Sequence, residues 1–246
     1  MSRSRLAPLL QSFVRNIIHW LKAMTYESLA ARAGIPLPST FARLLADGRT
    51  RYGDNLADWK ANWSDYTLRA QPLLSCAYDL EWIDAEQAGE IVDDWLNPGF
   101  QNGRAFLPFA ISGAGDAYCL MTTAAGTSGV GMVWHDRDDS AIETASFEHF
   151  VFTSLVESAA DFEHLLDDFS SAQARECVLA NMRAAAAYLP ANLNHALDAL
   201  ISPQLPEDES DIAMISQATA EAAFGVLLPF AQERFAVVPR WQCNEG

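Results

Sequence analysis

Apolar and polar positions recur on two different periods along this chain, and the change of period divides it. Leu9, Leu10, Phe13, Val14, Ile17, Ile18 and Leu21 fall at steps of three and four, the pattern of one apolar helix face, so Leu6 to Met24 is expected to form an amphipathic helix within an N-terminal segment 1–25. Thr25 can cap a helix over Tyr26 to Ala33 that Gly34 ends. Ile35-Pro36-Leu37-Pro38 forces an extended passage, because each proline pushes its predecessor out of the helical region. Ser39 to Ala46 resumes as a short helix with Phe41, Leu44 and Leu45 on one side, stopped by Asp47-Gly48. Arg49 to Arg69 is polar, with Trp59, Trp63 and Tyr66 at four- and three-residue steps, which predicts a helix that buries aromatics. Gln71 to Ala77 is expected to be a strand, and Asp84 with Gln87 forms a capping box for a helix to about Leu96, broken by Asn97-Pro98-Gly99.

The period then shortens. Phe106 to Ile111 is an apolar run, and Ser112-Gly113-Ala114-Gly115-Asp116 supplies the dihedrals and local side-chain caps of a reversal. Ala117 to Met121 and Val130 to Trp134 read as further strands, His135 to Ser140 as a polar hairpin and Ala141 to Thr144 as a short fourth strand. Ser146 can cap the helix that begins at Phe147. Beyond Val156 the pattern is helical again: Phe162, Leu165, Leu166 and Phe169, then the alanine-rich Ser171 to Leu189, then a helix from Pro190 to Leu200, and Ile212 to Phe224 ended by Gly225. Val226 to Trp241 is apolar and broken by prolines, and is expected to pack back on the domain. The expected class is α+β, a twisted and mostly antiparallel sheet flanked by helices. It occupies residues 26–158, preceded by the N-terminal helix and followed by a helical C-terminal extension over 159–246.

Composition narrows the class. The chain has 246 residues, half of them apolar, enough for one generous core or two modest ones, and no collagenous, disordered or disulfide-rich class fits. Cys76, Cys119, Cys177 and Cys243 lie too far apart for a zinc knuckle or a dithiol motif, and are expected to be buried reduced thiols in a cytoplasmic protein. Gln11, Arg15, Asn16, His19 and Lys22 interrupt the first apolar stretch, so it offers neither a membrane span nor a signal peptide. The formal charge of −16 is unevenly placed: residues 1–70 carry +5 and residues 71–246 carry −21. A field of that sign repels nucleic acid and anionic membranes and speeds encounter with a basic protein.

Candidate chemistry is sparse. Asp116 could be a catalytic carboxylate, but an aspartate at that place in a turn more often accepts backbone amide bonds. His135, Asp136, Asp138 and Asp139 fall within five residues, yet the loop lacks the glycine and terminal glutamate of a calcium loop and reads as a solvated hairpin tip. No nucleophile elbow, phosphate loop, dinucleotide fingerprint or His-Glu-x-x-His occurs. No catalytic residue, metal or cofactor is expected. Two acidic patches remain as candidate contacts for a partner: Asp136, Asp138 and Asp139, and the run Glu207, Asp208, Glu209 and Asp211. The latter also favours the start of the helix that follows it.

Taken together, Leu37-Pro38 with Gly48, Pro108-Phe109, Gly115-Asp116, Trp134-His135-Asp136 and Ser146-Phe147 resemble the SMI1/KNR4 family, also called the SUKH superfamily. The resemblance covers roughly Tyr26 to Val156; the segment Arg49 to Ala70 and the C-terminal region depart from the family pattern. It implies an α+β domain with helices packed on an antiparallel or mixed sheet. Bacterial members look largely like immunity proteins that bind and neutralise toxin domains, often nucleases; fungal members look like regulatory scaffolds. The expectation is therefore a non-enzymatic protein that docks an acidic face on a basic toxin domain, with an intracellular scaffold as the alternative.

Overall fold

A computed structural model describes residues 24–201 and 212–243. Local signals set the first elements. Thr25 accepts a bond from the Ser28 amide in a capping box that opens α1 (Tyr26–Ala33), and Gly34 ends it in the left-handed region at φ +66°. Pro38 precedes α2 (Ser39–Ala46), and Phe41 and Leu44 are its fully buried face. Asn55 caps α3 (Leu56–Leu68), whose Trp59 and Tyr66 stack at 6.0 Å. After β1 (Glu81–Trp82), Asp84 and Gln87 form the expected capping box of α4 (Ala85–Ile91), and a π-helical turn, Val92–Leu96, continues it.

The strands β2 (Leu107–Ile111), β3 (Ala117–Thr122) and β4 (Ser128–Val133) follow, and with β1 they make an antiparallel sheet in the order β1-β2-β3-β4. Pro108 pairs with Cys119 and Ala110 with Tyr118, so Phe109 is an extra residue in a β-bulge. A bulge is one of the few interior places where a strand tolerates proline, which cannot donate to the ladder. β5 (Asp139–Ile142) runs beside β4 through an irregular set of bonds: the Ser140 hydroxyl donates to Met132 O, and the Glu143 amide to Val130 O.

Helices cover the sheet. α5 (Phe147–Ala160) is capped by Ser146 and is buried at Phe147, Val151, Phe152, Leu155 and Val156. A 3-10 turn, Glu163–Asp167, leads to α6 (Ser171–Ala185) and α7 (Ala191–Leu200); α8 (Gln217–Phe224), β6 (Glu233–Ala236) and a short α9 (Arg240–Cys243) complete the described chain. Alternation along β3 feeds two apolar clusters. Leu120, with Phe109, Val130, Phe147 and the buried faces of α1, α2, α5, α6 and α7, belongs to the larger. Ala117, Cys119 and Met121 join Trp95, Phe106, Ile142 and Phe235 in the smaller, on the opposite face.

Three expectations need correction. Gln71 to Ala77 is not a strand: Ala70 and Leu74 take positive φ, and turns link Ser75 to Pro72 and Ala77 to Leu74. Its apolar side chains are buried by these reversals, not by pairing. The C-terminal extension is not wholly helical, because Glu233–Ala236 pairs antiparallel with β5, Asp139 opposite Ala236 and Ile142 opposite Glu233. Gln101 secures this return, its amide donating to Trp95 O and Val238 O while its oxygen accepts from the Val238 amide. The helix expected over Ile212 to Phe224 begins only at Gln217, where Ser216 caps it. The helix expected over Leu6 to Met24 falls outside the described residues except at Met24, which is not helical.

Candidate functional site

The hairpin residues meet the β2–β3 turn. Ser112 and Asp116 close that turn reciprocally, the Asp116 amide donating to Ser112 Oγ and that hydroxyl donating to Asp116 Oδ2, both at 3.1 Å. Gly115 takes φ +92°, a conformation its lack of Cβ permits. The carboxylate is 4% exposed and reaches across to the end of β4, where Oδ1 accepts from the His135 amide at 3.0 Å and from His135 Nδ1 at 2.7 Å. A carboxylate only accepts, which assigns the proton to Nδ1. Burial alone would raise the Asp116 carboxyl, but the bonds from the His135 backbone and ring and from Ser112 outweigh it and hold the group below its ordinary range.

This geometry accounts for Asp116 as a clamp between two turns. Asp116, His135 and Asp136 offer one ligand atom each within 4.8 Å of one another. The Asp116 oxygen and the His135 nitrogen nearest each other already share a proton, and a cation there would have to break that bond. Half of a catalytic triad is recognisable in the aspartate and histidine. Among the described residues no hydroxyl or thiol bonds His135, however, and all four cysteines are buried with thiols shifted upward, Cys177 to about 11. A group held low stabilises the fold above the ordinary carboxylate range and loses that contribution as pH falls through its depressed value. Asp116→Asn is therefore expected to lower the unfolding free energy by about 2 kcal/mol at neutral pH. In urea titrations across pH, the gap to the unsubstituted protein should close on acidification; a constant gap would contradict the role.

The hairpin tip is exposed at Asp136, Asp138 and Asp139, as its composition implies, but the C-terminal return sheathes its edge. Asp138 O accepts from the Val237 amide and His135 O from the Arg240 amide, while the Asp139 carboxylate lies 3.2 Å from Arg234. Arg137 stacks over Trp134 at 3.8 Å. Glu207, Asp208, Glu209 and Asp211 lie outside the described residues. Leu37 and Pro38 lead into α2, Gly48 has φ +66°, and Pro108, Phe109 and Phe147 belong to the buried sheet and helix, so these motif residues have structural roles.

A larger feature sits beside the hairpin. An open groove of about 1090 Å³ runs between α5, the loop at Ala77–Leu80, the β5–α5 connection and the segment from Phe224 to Gln232. Among the described residues its wall carries Glu143, Glu157, Asp161, Glu163 and Asp167, with His149 and His164, and no lysine or arginine. None of the five carboxylates is in an ion pair among the described residues. Glu143 and Glu157 are exposed, but partial desolvation against the groove wall raises the Glu143 carboxyl, offset in part by a bond from the Met132 backbone, and partial desolvation followed by the charge of Glu143 raises Glu157. Burial holds His149 and His164 low, and the His164 ring donates to Cys76 O at 3.1 Å. Burial, followed by Asp79, Glu143, Glu157 and Asp116, raises the Tyr118 phenol on the groove floor.

The hairpin was within reach of sequence reasoning; the groove was not, since its carboxylates come from separated positions. One signal was present. His149, Thr153 and Glu157 form a polar stripe at four-residue steps along a helix most of whose other positions are apolar. No helix among the described residues is long and apolar enough to cross a membrane. Comparisons with protein-family models, with curated proteins and with solved structures return no match.

Proposed function

We propose that this chain is a non-enzymatic protein-binding protein, an immunity protein of the SMI1/KNR4 kind that works in the cytoplasm by occupying a basic toxin domain. The observation that supports this reading most is the sign of the groove: among the described residues, five carboxylates and no lysine or arginine surround a concavity large enough to take side chains from another protein. Such a surface raises the encounter rate with a cationic partner and repels nucleic acid and anionic lipid, in keeping with the charge of −16. With every described cysteine buried, its thiol shifted upward, and Asp116 committed to a structural clamp, the described residues offer binding groups more readily than a nucleophile.

Co-expression with the toxin domain encoded beside this chain tests the reading. Protection of the host and a co-purifying complex whose affinity falls with added salt are the expected results. No protection and no complex would sink it, and retrieval of a housekeeping assembly instead would favour a regulatory scaffold.

A further inference from the structure

The groove has an apolar rim as well as an acidic wall. Tyr78 and Leu228 are among the most exposed large apolar residues described, at 73% and 78%, and both line it. Tyr78 is held edge-on against His164 at 5.4 Å, so its ring is positioned although it is open to solvent. Leu228 comes from the segment that joins α8 to β6, which lies outside the SMI1/KNR4-like stretch. Glu143 and Glu157, both exposed, line the same space from the end of β5 and from α5.

We propose that this groove is the docking site for a segment of a protein partner that presents a lysine or arginine flanked by apolar side chains. The cationic head enters between Glu143 and Glu157, and the flanking side chains are clamped by Tyr78 and Leu228. Charge complementarity selects the occupant: two solvent-exposed carboxylates on the groove wall, neither in an ion pair with a described residue, leave a cation-sized demand, and a long aliphatic stem fits the apolar rim beside them. With no such ion pair to lose and both side chains open to solvent, the fold does not depend on their charge. Removing their charge should leave folding intact and binding impaired, the division expected of a binding site.

This inference rests on the protein-binding reading and is tested separately from it. The full chain is titrated calorimetrically with a capped amphipathic peptide bearing lysines beside leucines, and with the same peptide carrying norleucine for lysine. The lysine peptide is expected to bind, its affinity falling at least about tenfold in Glu143→Gln/Glu157→Gln and in Leu228→Ser. It should change less than about twofold in Glu86→Gln/Glu90→Gln, which removes the same charge from the exposed face of α4. Equal losses in the control, equal binding of the norleucine peptide, or unchanged binding to the groove variant would overturn the proposal, as would saturation of the glutamate pair by calcium alone at micromolar concentration. Neutralisation of the toxin domain by Glu143→Gln/Glu157→Gln at full strength would end the groove inference and leave the immunity reading standing. Failure of the unsubstituted chain to protect would end that reading whatever the peptide does.

Discussion

Phe109→Ala should lower the unfolding free energy by about 4 kcal/mol, measured by chemical denaturation. The ring is fully buried and sits among Phe41, Trp82, Tyr118, Phe147 and Phe150, with centroid distances from 5.4 to 6.5 Å, two of them edge-to-face. These partners come from α2, β1, β3 and α5, so the cavity left by truncation could not be closed by one element moving. Edge-to-face contacts add to the transfer free energy of the ring, which places this change at the upper end of core truncations. Phe109→Leu keeps much of the volume and should cost about 1.5 kcal/mol. Equal effects of the two substitutions, or a loss below about 1 kcal/mol for alanine, would show that the cluster is not packed as described.

The Pro108-Phe109 pair marks where sequence reading reached and where it stopped. Its apolar run between turn residues identifies a buried strand, and the same signals place β3, β4 and the caps at Thr25, Asp84 and Ser146. The bulge that turns Phe109 into the larger cluster is a property of pairing with β3, and no local signal carries it. The error at Gln71–Ala77 has a related cause. Leu73, Leu74 and Cys76 are as apolar as a buried strand, and what distinguishes them is the left-handed backbone at Ala70 and Leu74, which neither residue type announces. β6 was hidden because Glu233, Arg234 and Ala236 are polar or small. Its burial is one-sided, through Phe235 against Phe106 at 5.8 Å, and its partner strand lies nearly a hundred residues earlier, the separation of Asp139 and Arg234 being 95. The groove inherits that difficulty, since one of its walls is the Phe224–Gln232 segment that leads into β6.

Gly131→Ala should cost about 3 kcal/mol and loosen that wall at the same time. A Cβ added at Gly131 would fall on the Ala141 carbonyl oxygen, a backbone atom that cannot rotate away, and one at Gly129 would meet the Ile142 side chain and the Thr144 carbonyl oxygen at 2.7 Å. Both glycines therefore act by what they lack: they let β5 lie closer to β4 than two ordinary strands could. β5 in turn templates β6 over Asp139–Ile142, reinforced by the Arg234–Asp139 ion pair and by the Glu233 carboxylate accepting from the Ala124 amide at 2.9 Å. Displacing β5 should release β6 and, with it, the Phe224–Gln232 wall of the groove. Hydrogen exchange should show the β5–β6 amides opening at lower free energy in the variant than those of the β2–β3 ladder, and peptide affinity should fall although no groove residue has changed. Uniform loss of protection across both pairs of strands would instead mean that the C-terminal return is as strongly held as the sheet, and the wall would then be a fixed part of the domain.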